Sequence, residues 1–301
     1  MNKYLKILRN KIFYHACDLF PEFVTKSIYK ERLNKNLNFE TPSSFNEKLQ
    51  WLKLNTYKDS ELVTQCADKF AARDYVSDKG CQEILIPMYG CWDKASDIDW
   101  NSLPDKFVMK CNHGAGYNVI CKNKKYLNIN DTVNKLNFWM KEDYWRKAVE
   151  LVYKNIPKKI VCEKFIETTN GALPYDYKIF CFHGRPEFAM VCTERESDKP
   201  KFYFMDKSWN VLPYGIDCFD ADLDKLEKPQ NFEKLFYYAE KLSQPFPFVR
   251  VDLYLNDGVI KFGELTFIHS AGMDKELNNE KYNNVDETIG NLIKLDLNNK
   301  I

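Results

Sequence analysis

Arginine, aspartate and glutamate recur at strand spacing in the stretch RVDLYLNDGVIKFGELTFIHSAG, residues 250–272. Arg250, Val251, Asp252, Leu253 and Tyr254 alternate in polarity, so an extended strand puts Arg250, Asp252 and Tyr254 on one face. Asn256-Asp257-Gly258 carries the residue types of a hairpin turn. The returning run, Val259 to Phe267, puts Glu264 and Thr266 together on one face of its own strand. Such a hairpin aims the carboxylates of Asp252 and Glu264 into one space. Two carboxylates plus phosphate oxygens supply the hard oxygen ligands that Mg²⁺ takes while keeping several waters. Arg250 adds a planar donor fork suited to phosphate or carboxylate oxygens. A surface hairpin with its charges in water shows the same alternation. The apolar set Val251, Leu253, Leu265 and Phe267 implies one buried face, and the polar face continues into Ser270-Ala271-Gly272; both features favour a site.

Phosphate chemistry also has a candidate upstream. Phe107 to Lys110 reads as an apolar strand that carries Lys110 to the loop Asn112-His113-Gly114-Ala115-Gly116, after which a second strand begins. Backbone amides near Gly114 and Gly116 can approach phosphate oxygens closely because no Cβ obstructs them. Lys110 adds a point charge. The string is not a Walker loop, which needs a Gly-Lys-Ser/Thr step entering a helix; a plain β-turn is the alternative. His113 reads as a turn histidine. Further on, Asp176-Tyr177-Lys178 opens a strand with Asp176 and Lys178 on one face, and Arg195 follows the next strand, Glu187 to Thr193. Lys178 and Arg195 are candidates for phosphate or substrate, or for an ordinary cross-strand ion pair.

The elements that must position these residues are legible by period. Residues 1–40 interleave Lys3, Lys6, Arg9, Lys11, Lys26, Lys30, Arg32 and Lys35 with apolar positions, which suits amphipathic helices. They either pack on the body or lie on an anionic membrane surface. Ser44 with Glu47 three residues later signals a capping box opening a helix through Leu54. The spacing predicts one helix over 61–80, with Ala67, Phe70, Ala71 and Tyr75 inward and Asp68, Lys69 and Arg73 on the opposite face. A short strand is expected at 84–87, a helical segment at 131–155, a strand at 159–166, another at 202–206, a helix at 231–243 and a last helix near 285–295.

Bulk composition narrows the class. The chain has 301 residues, 45% hydrophobic and 15% aromatic, enough for a core. Its 44 basic and 43 acidic residues nearly cancel, so net charge makes no case for nucleic acid. Ten cysteines are scattered with no C-x-x-C pair, a pattern of reduced, buried thiols. No signal peptide or membrane-spanning run is visible, so a cytoplasmic location is expected.

The hairpin, with its Arg-x-Asp strand, Gly-containing turn and returning Glu, resembles the metal-binding hairpin of ATP-grasp enzymes such as D-alanine–D-alanine ligase. Thr266 stands where those enzymes have Asn. Over residues 40–272 the chain resembles the TupA-like, teichuronopeptide-biosynthesis branch of that superfamily. The resemblance implies an α+β, ATP-grasp fold of two lobes with antiparallel sheets gripping the nucleotide, after an N-terminal helical region at 1–60. Its parts would be 61–105, a nucleotide-binding small lobe at 106–166, and a metal-binding lobe at 167–301. It implies ATP and Mg²⁺ as cofactors, with Asp252, Glu264 and Thr266 at the metal. Lys110, Gly114, Gly116, Glu163, Glu167 and Lys178 would meet the nucleotide, and Arg250, Lys178 and Arg195 the reacting groups. Taken alone, Glu163 or Glu167 also fits a strand-edge carboxylate in water. The implied activity is carboxylate–amine ligation in bacterial capsule or surface-polysaccharide synthesis. Its partners would be a uronic-acid-containing glycan or sugar nucleotide and an amino acid or amine, with peripheral contact at the inner face of the membrane left open. Two other classes stay open: a glycosyltransferase, for which Asp220-Ala221-Asp222 is the matching string, and a nonenzymatic or kinase-like relative.

Overall fold

The computed structural model describes residues 12–169, 171–219, 226–277 and 284–297. Asp220-Ala221-Asp222 and the cations Lys3, Lys6, Arg9 and Lys11 lie outside them. The chain divides into two compact units, Met1–Glu61, Asp143–Asn155 and Ile268–Ile301 forming one, and Leu62–Glu142 with Ile156–Phe267 the other. Residues 143–155 and 268–301 thus join the N-terminal segment, whereas the sequence reading cut the chain into consecutive stretches.

The first unit is helical. Its Phe45–Leu54 helix starts on a complete capping box: the Ser44 hydroxyl accepts from the Glu47 amide at 3.2 Å, and Glu47 returns to the Ser44 amide at 3.3 Å. Tyr29, Leu33, Leu37, Ala148 and Met273 make one core cluster; Cys17, Val24, Trp145 and Val149 make another. The last helix is Val285–Gly290, shorter than the expected span. The expected helical segment at 131–155 ends at Lys141, and 3₁₀ turns at Tyr144–Lys147 and Leu151–Tyr153 follow. Val149 lies between those turns at φ 55°, where a β-branched residue cannot continue a helix.

Among its described residues, the second unit holds ten strands in two antiparallel sheets. β1 (Met88–Trp92), β2 (Phe107–Cys111), β3 (Asn118–Cys121) and β4 (Ile160–Lys164) form a sheet in the order β1-β4-β2-β3. β5 (Tyr175–Phe182), β6 (Arg185–Thr193), β7 (Lys201–Met205), β8 (Val211–Leu212), β9 (Phe248–Asn256) and β10 (Val259–Thr266) form the other, in the order β10-β9-β5-β6-β7-β8. The helix Phe232–Ser243 buries Phe232, Leu235, Phe236, Ala239 and Leu242. It packs on β5, β6 and β9, with Phe232 and Tyr177 ring centroids 6.3 Å apart. Because strand side chains alternate, Asp176 and Lys178 point to the opposite face of the sheet. All ten cysteines are free thiols, most of them buried.

Two expected elements take a different form. The strand placed at 84–87 begins at Met88, because Gln82–Ile84 winds into a 3₁₀ turn and Pro87 has no amide to give a ladder. The helix placed at 61–80 is two helices, Glu61–Ala67 and Ala72–Asp78. Between them the Asp68 carboxylate accepts the Phe70 amide at 2.7 Å and the Asn112 side-chain amide at 2.8 Å. Aspartate offers the backbone this local alternative to the helical ladder.

Candidate functional site

The β9–β10 hairpin turns through Asp257 at φ 50° and Gly258 at φ 75°. Two successive left-handed residues twist the turn to match its strands. Asp252 then stands opposite Glu264, and Arg250 opposite Thr266. The register shifts by a bulge between Phe262 and Glu264. Gly263 sits in it, so close to the neighbouring strand that a Cβ there would lie 2.9 Å from the Asp252 carbonyl oxygen. On the other side of β9, Lys178 of β5 faces Asp252 and Asp176 faces Tyr254. Lys178, Asp252 and Glu264 therefore form one row across three strands.

Ion pairs knit the row together. Arg250 grips both Asp252 oxygens, Nε to Oδ1 and Nη2 to Oδ2, each at 2.7 Å, and its Nη2 donates to Thr266 Oγ1 at 3.1 Å. Lys178 Nζ reaches Asp252 Oδ2 at 3.0 Å and also pairs with Asp176. Arg195 donates to the Pro174 carbonyl at 2.6 Å, stands 3.9 Å from Asp176 and lies over the Tyr254 ring. From the smaller sheet, Lys110 meets Glu163 at 2.6 Å. Gly114 and Gly116 lie in the loop from β2 to β3, and Gly116 takes φ +77°. Glu167 is apart from this network: it is exposed and paired with Lys106. His113 is buried, 3.2 Å from the Trp139 carbonyl. Burial pushes its pKa down, and Lys158 pushes the same way.

Two participants lie on what helical spacing makes the face opposite the apolar stripe. Lys69 Nζ contacts Glu264 Oε2 at 2.9 Å and the Gly114 carbonyl at 2.7 Å. Arg73 Nη1 stands 3.4 Å from Glu163 Oε1. The break at Asp68 ends the first helix, so the outward face of a continuous helix at 61–80 never forms. Tyr254, with Ile86, Val108, Ile120, Phe165 and Ile166, lines an apolar pocket that also receives Lys110, Glu163 and Arg195. An aspartate in mid-helix was the signal for Lys69; Arg73 had none.

Protonation follows from this network. Burial opposes ionisation of Glu264, yet Lys69, with Lys178 and Arg250 behind it, holds its pKa down to about 2. Burial likewise opposes the charges of Lys110 and Lys178, but Glu163 for the first and Asp252 and Asp176 for the second raise both above the usual lysine value. The network joins six cations to four carboxylates, Glu163, Asp176, Asp252 and Glu264. These paired groups carry more positive than negative charge even with the neighbouring Asp68 carboxylate beside Lys69, and a cationic surplus in a largely buried site favours an anion. A polyanion such as a metal-complexed triphosphate would find its counter-charge there. Asp176 Oδ1 is buried without a hydrogen-bond partner, one more open valence in the site.

A family model described as TupA-like ATPgrasp matches residues 47–294. No curated protein matches the chain in sequence. Among solved structures, D-alanine–D-alanine ligase from Bacillus anthracis complexed with ATP is 14% identical, with 77% of this chain and 70% of that one covered and a TM-score of 0.43. L-amino acid ligase from Bacillus licheniformis is also 14% identical, with 83% and 55% covered and a TM-score of 0.47. The ATP-grasp ligase PsnB, complexed with minimal precursor, Mg and ADP, is 12% identical, with 73% and 57% covered and a TM-score of 0.36. The chain thus spans little more than half the length of the last two. On the match across 47–294, the chain belongs to the TupA-like ATP-grasp family.

Proposed function

We propose that the chain is a cytoplasmic ATP-dependent ligase of bacterial surface-polysaccharide synthesis, joining an amino acid or other amine to a uronic acid carboxylate through an acyl phosphate. The observation that carries this reading is the ion-pair network, richer in cations than in carboxylates, laid around two facing carboxylates. Asp252 and Glu264 would hold Mg²⁺, with Thr266 beside them. Among the described residues no group of three or more His, Cys, Asp or Glu side chains could hold a metal by itself, so phosphate oxygens and water would complete the shell, as that ion prefers. When bound, Mg²⁺ neutralises phosphate charge as it shifts.

The chain's own residues would act by position and charge, which is most of what phosphoryl transfer asks of a protein. Lys69, Lys110 and Lys178 would bind the phosphates, with amides near Gly114 and Gly116 beside them. The apolar pocket around Phe165 and Ile166 would exclude water from the base, and Glu163 and Glu167 would contact the nucleoside side. A substrate carboxylate oxygen attacks the terminal phosphorus and ADP leaves. The amine nitrogen then attacks the acyl carbon, phosphate departs, and the nitrogen gives its proton to the departing phosphate or water. Arg250 and Arg195 would stabilise the oxyanion formed between those steps.

One observation favours a second reading, a nonenzymatic or kinase-like relative: Arg250 occupies both oxygens of Asp252 and also Thr266. ADP release separates the two. Sustained ADP release that needs an acceptor uronic acid and an amine together supports ligation; sustained release with the glycan alone, beyond the single equivalent that acyl phosphate formation allows, supports the kinase, and turnover with neither partner sinks the ligase.

A further inference from the structure

Charge is unevenly spread along this chain. Residues 1–35 carry eight lysines and arginines against Asp18, Glu22 and Glu31, a net of +5 in a protein whose total is +1. The remaining residues are therefore net negative. Every charged residue in the first 17 positions is basic: Lys3, Lys6, Arg9 and Lys11.

The same segment exposes its largest apolar side chains. Ile12 is 61% exposed, Leu19 69%, Phe20 61% and Phe23 70%. Leu19, Phe20 and Phe23 cluster where the chain enters the helix Pro21–Leu33, with Phe20 at its N-cap and a proline at its first turn. That helix is already anchored by another face, Val24, Thr25, Tyr29 and Leu33 being buried. Lys26 and Lys30 follow Phe23 at helical spacing on the exposed face. An apolar cluster of this kind rimmed by cations is not a normal solvent face. Among the described residues no helix is long and apolar enough to cross a membrane.

We propose that this N-terminal face seats on an anionic phospholipid surface, inserting Leu19, Phe20 and Phe23 among the acyl chains while Lys26 and Lys30 meet the headgroups. Apolar insertion and attraction to anionic lipid add in such interfacial contacts. The inference stands apart from the proposed ligation, because none of these residues belongs to the site around Asp252.

Flotation of the full-length chain with phosphatidylcholine vesicles, with and without phosphatidylglycerol, tests it. Binding is expected to the anionic vesicles alone and to fall as salt rises. Each basic residue near such a surface is worth roughly fivefold in affinity, so replacing Lys26 and Lys30 with glutamine should weaken binding by about 25-fold. Leu19→Ser, Phe20→Ser and Phe23→Ser together should abolish binding while the far-ultraviolet spectrum and thermal midpoint hold, since all three side chains already face water. Equal binding to neutral vesicles, no binding to either, or unchanged binding by the serine variant overturns the proposal. A dimer that the serine variant disperses would place a second copy on this face and overturn it too.

Discussion

Lys69→Met removes one charge and keeps most of the side-chain volume, so it isolates what that ammonium does for Glu264. The folded carboxyl lies at about 2 against an ordinary 4.5, a gap worth about 3 kcal/mol in favour of the ionised form. Lys69 heads the interactions that produce it, ahead of Lys178 and Arg250. The Glu264 side chain keeps 32% exposure, so solvent screening brings the share due to Lys69 to about 1–2 kcal/mol. The assay is a double-mutant cycle of Lys69→Met and Glu264→Gln by chemical denaturation, which reads that share as a coupling energy. Because the folded pKa is depressed, the contribution is present above the ordinary carboxyl value. It is lost as pH falls from 4.5 toward 2, so the coupling should vanish across that window. A coupling within about 0.5 kcal/mol of zero at neutral pH, or one unchanged at the acid end, would refute the reasoning.

Gly263→Ala should shift the bulge that keeps Glu264 level with Asp252. Its Cβ would meet a backbone oxygen at 2.9 Å, so a loss of about 1–3 kcal/mol is expected, with nucleotide binding falling alongside the thermal midpoint. In the helical unit, Lys53 is fully buried, with Nζ 2.9 Å from the Ala148 carbonyl, and burial pulls its pKa down against the attraction of Glu150. Lys53→Met leaves Glu150 buried without that cation and should cost about 3 kcal/mol by denaturation, most of it recovered when Glu150→Leu is added; a single variant as stable as its parent would contradict this.

The hairpin was legible because two independent signals agreed: alternation over 250–254, and a turn tripeptide whose Asp257 and Gly258 tolerate positive φ. The two antiparallel sheets followed from the family resemblance and from the spacing of apolar strands. The row Lys178, Asp252 and Glu264 needed register between strands far apart in sequence, and the bulge at Gly263 that levels it leaves no trace in a single chain. Lys69 and Arg73 were hidden by helical periodicity itself. Taking 61–80 as one helix forces both outward, whereas the Asp68 carboxylate ends the ladder through bonds to Phe70 and Asn112. Asn112 lies 44 residues downstream of Asp68, so no local pattern could have announced that bond.

Asp252 and Glu264, facing each other inside a cationic cluster, are proposed to hold a magnesium nucleotide. Calorimetric titration with a non-hydrolysable ATP analogue, with and without Mg²⁺, tests it on the wild-type chain, Asp252→Asn and Glu264→Gln. Mg²⁺ is expected to strengthen binding to the wild-type chain, and this gain to disappear in both variants, while the metal-free analogue still binds to the remaining cations. Variants that keep the full Mg²⁺ gain would contradict it.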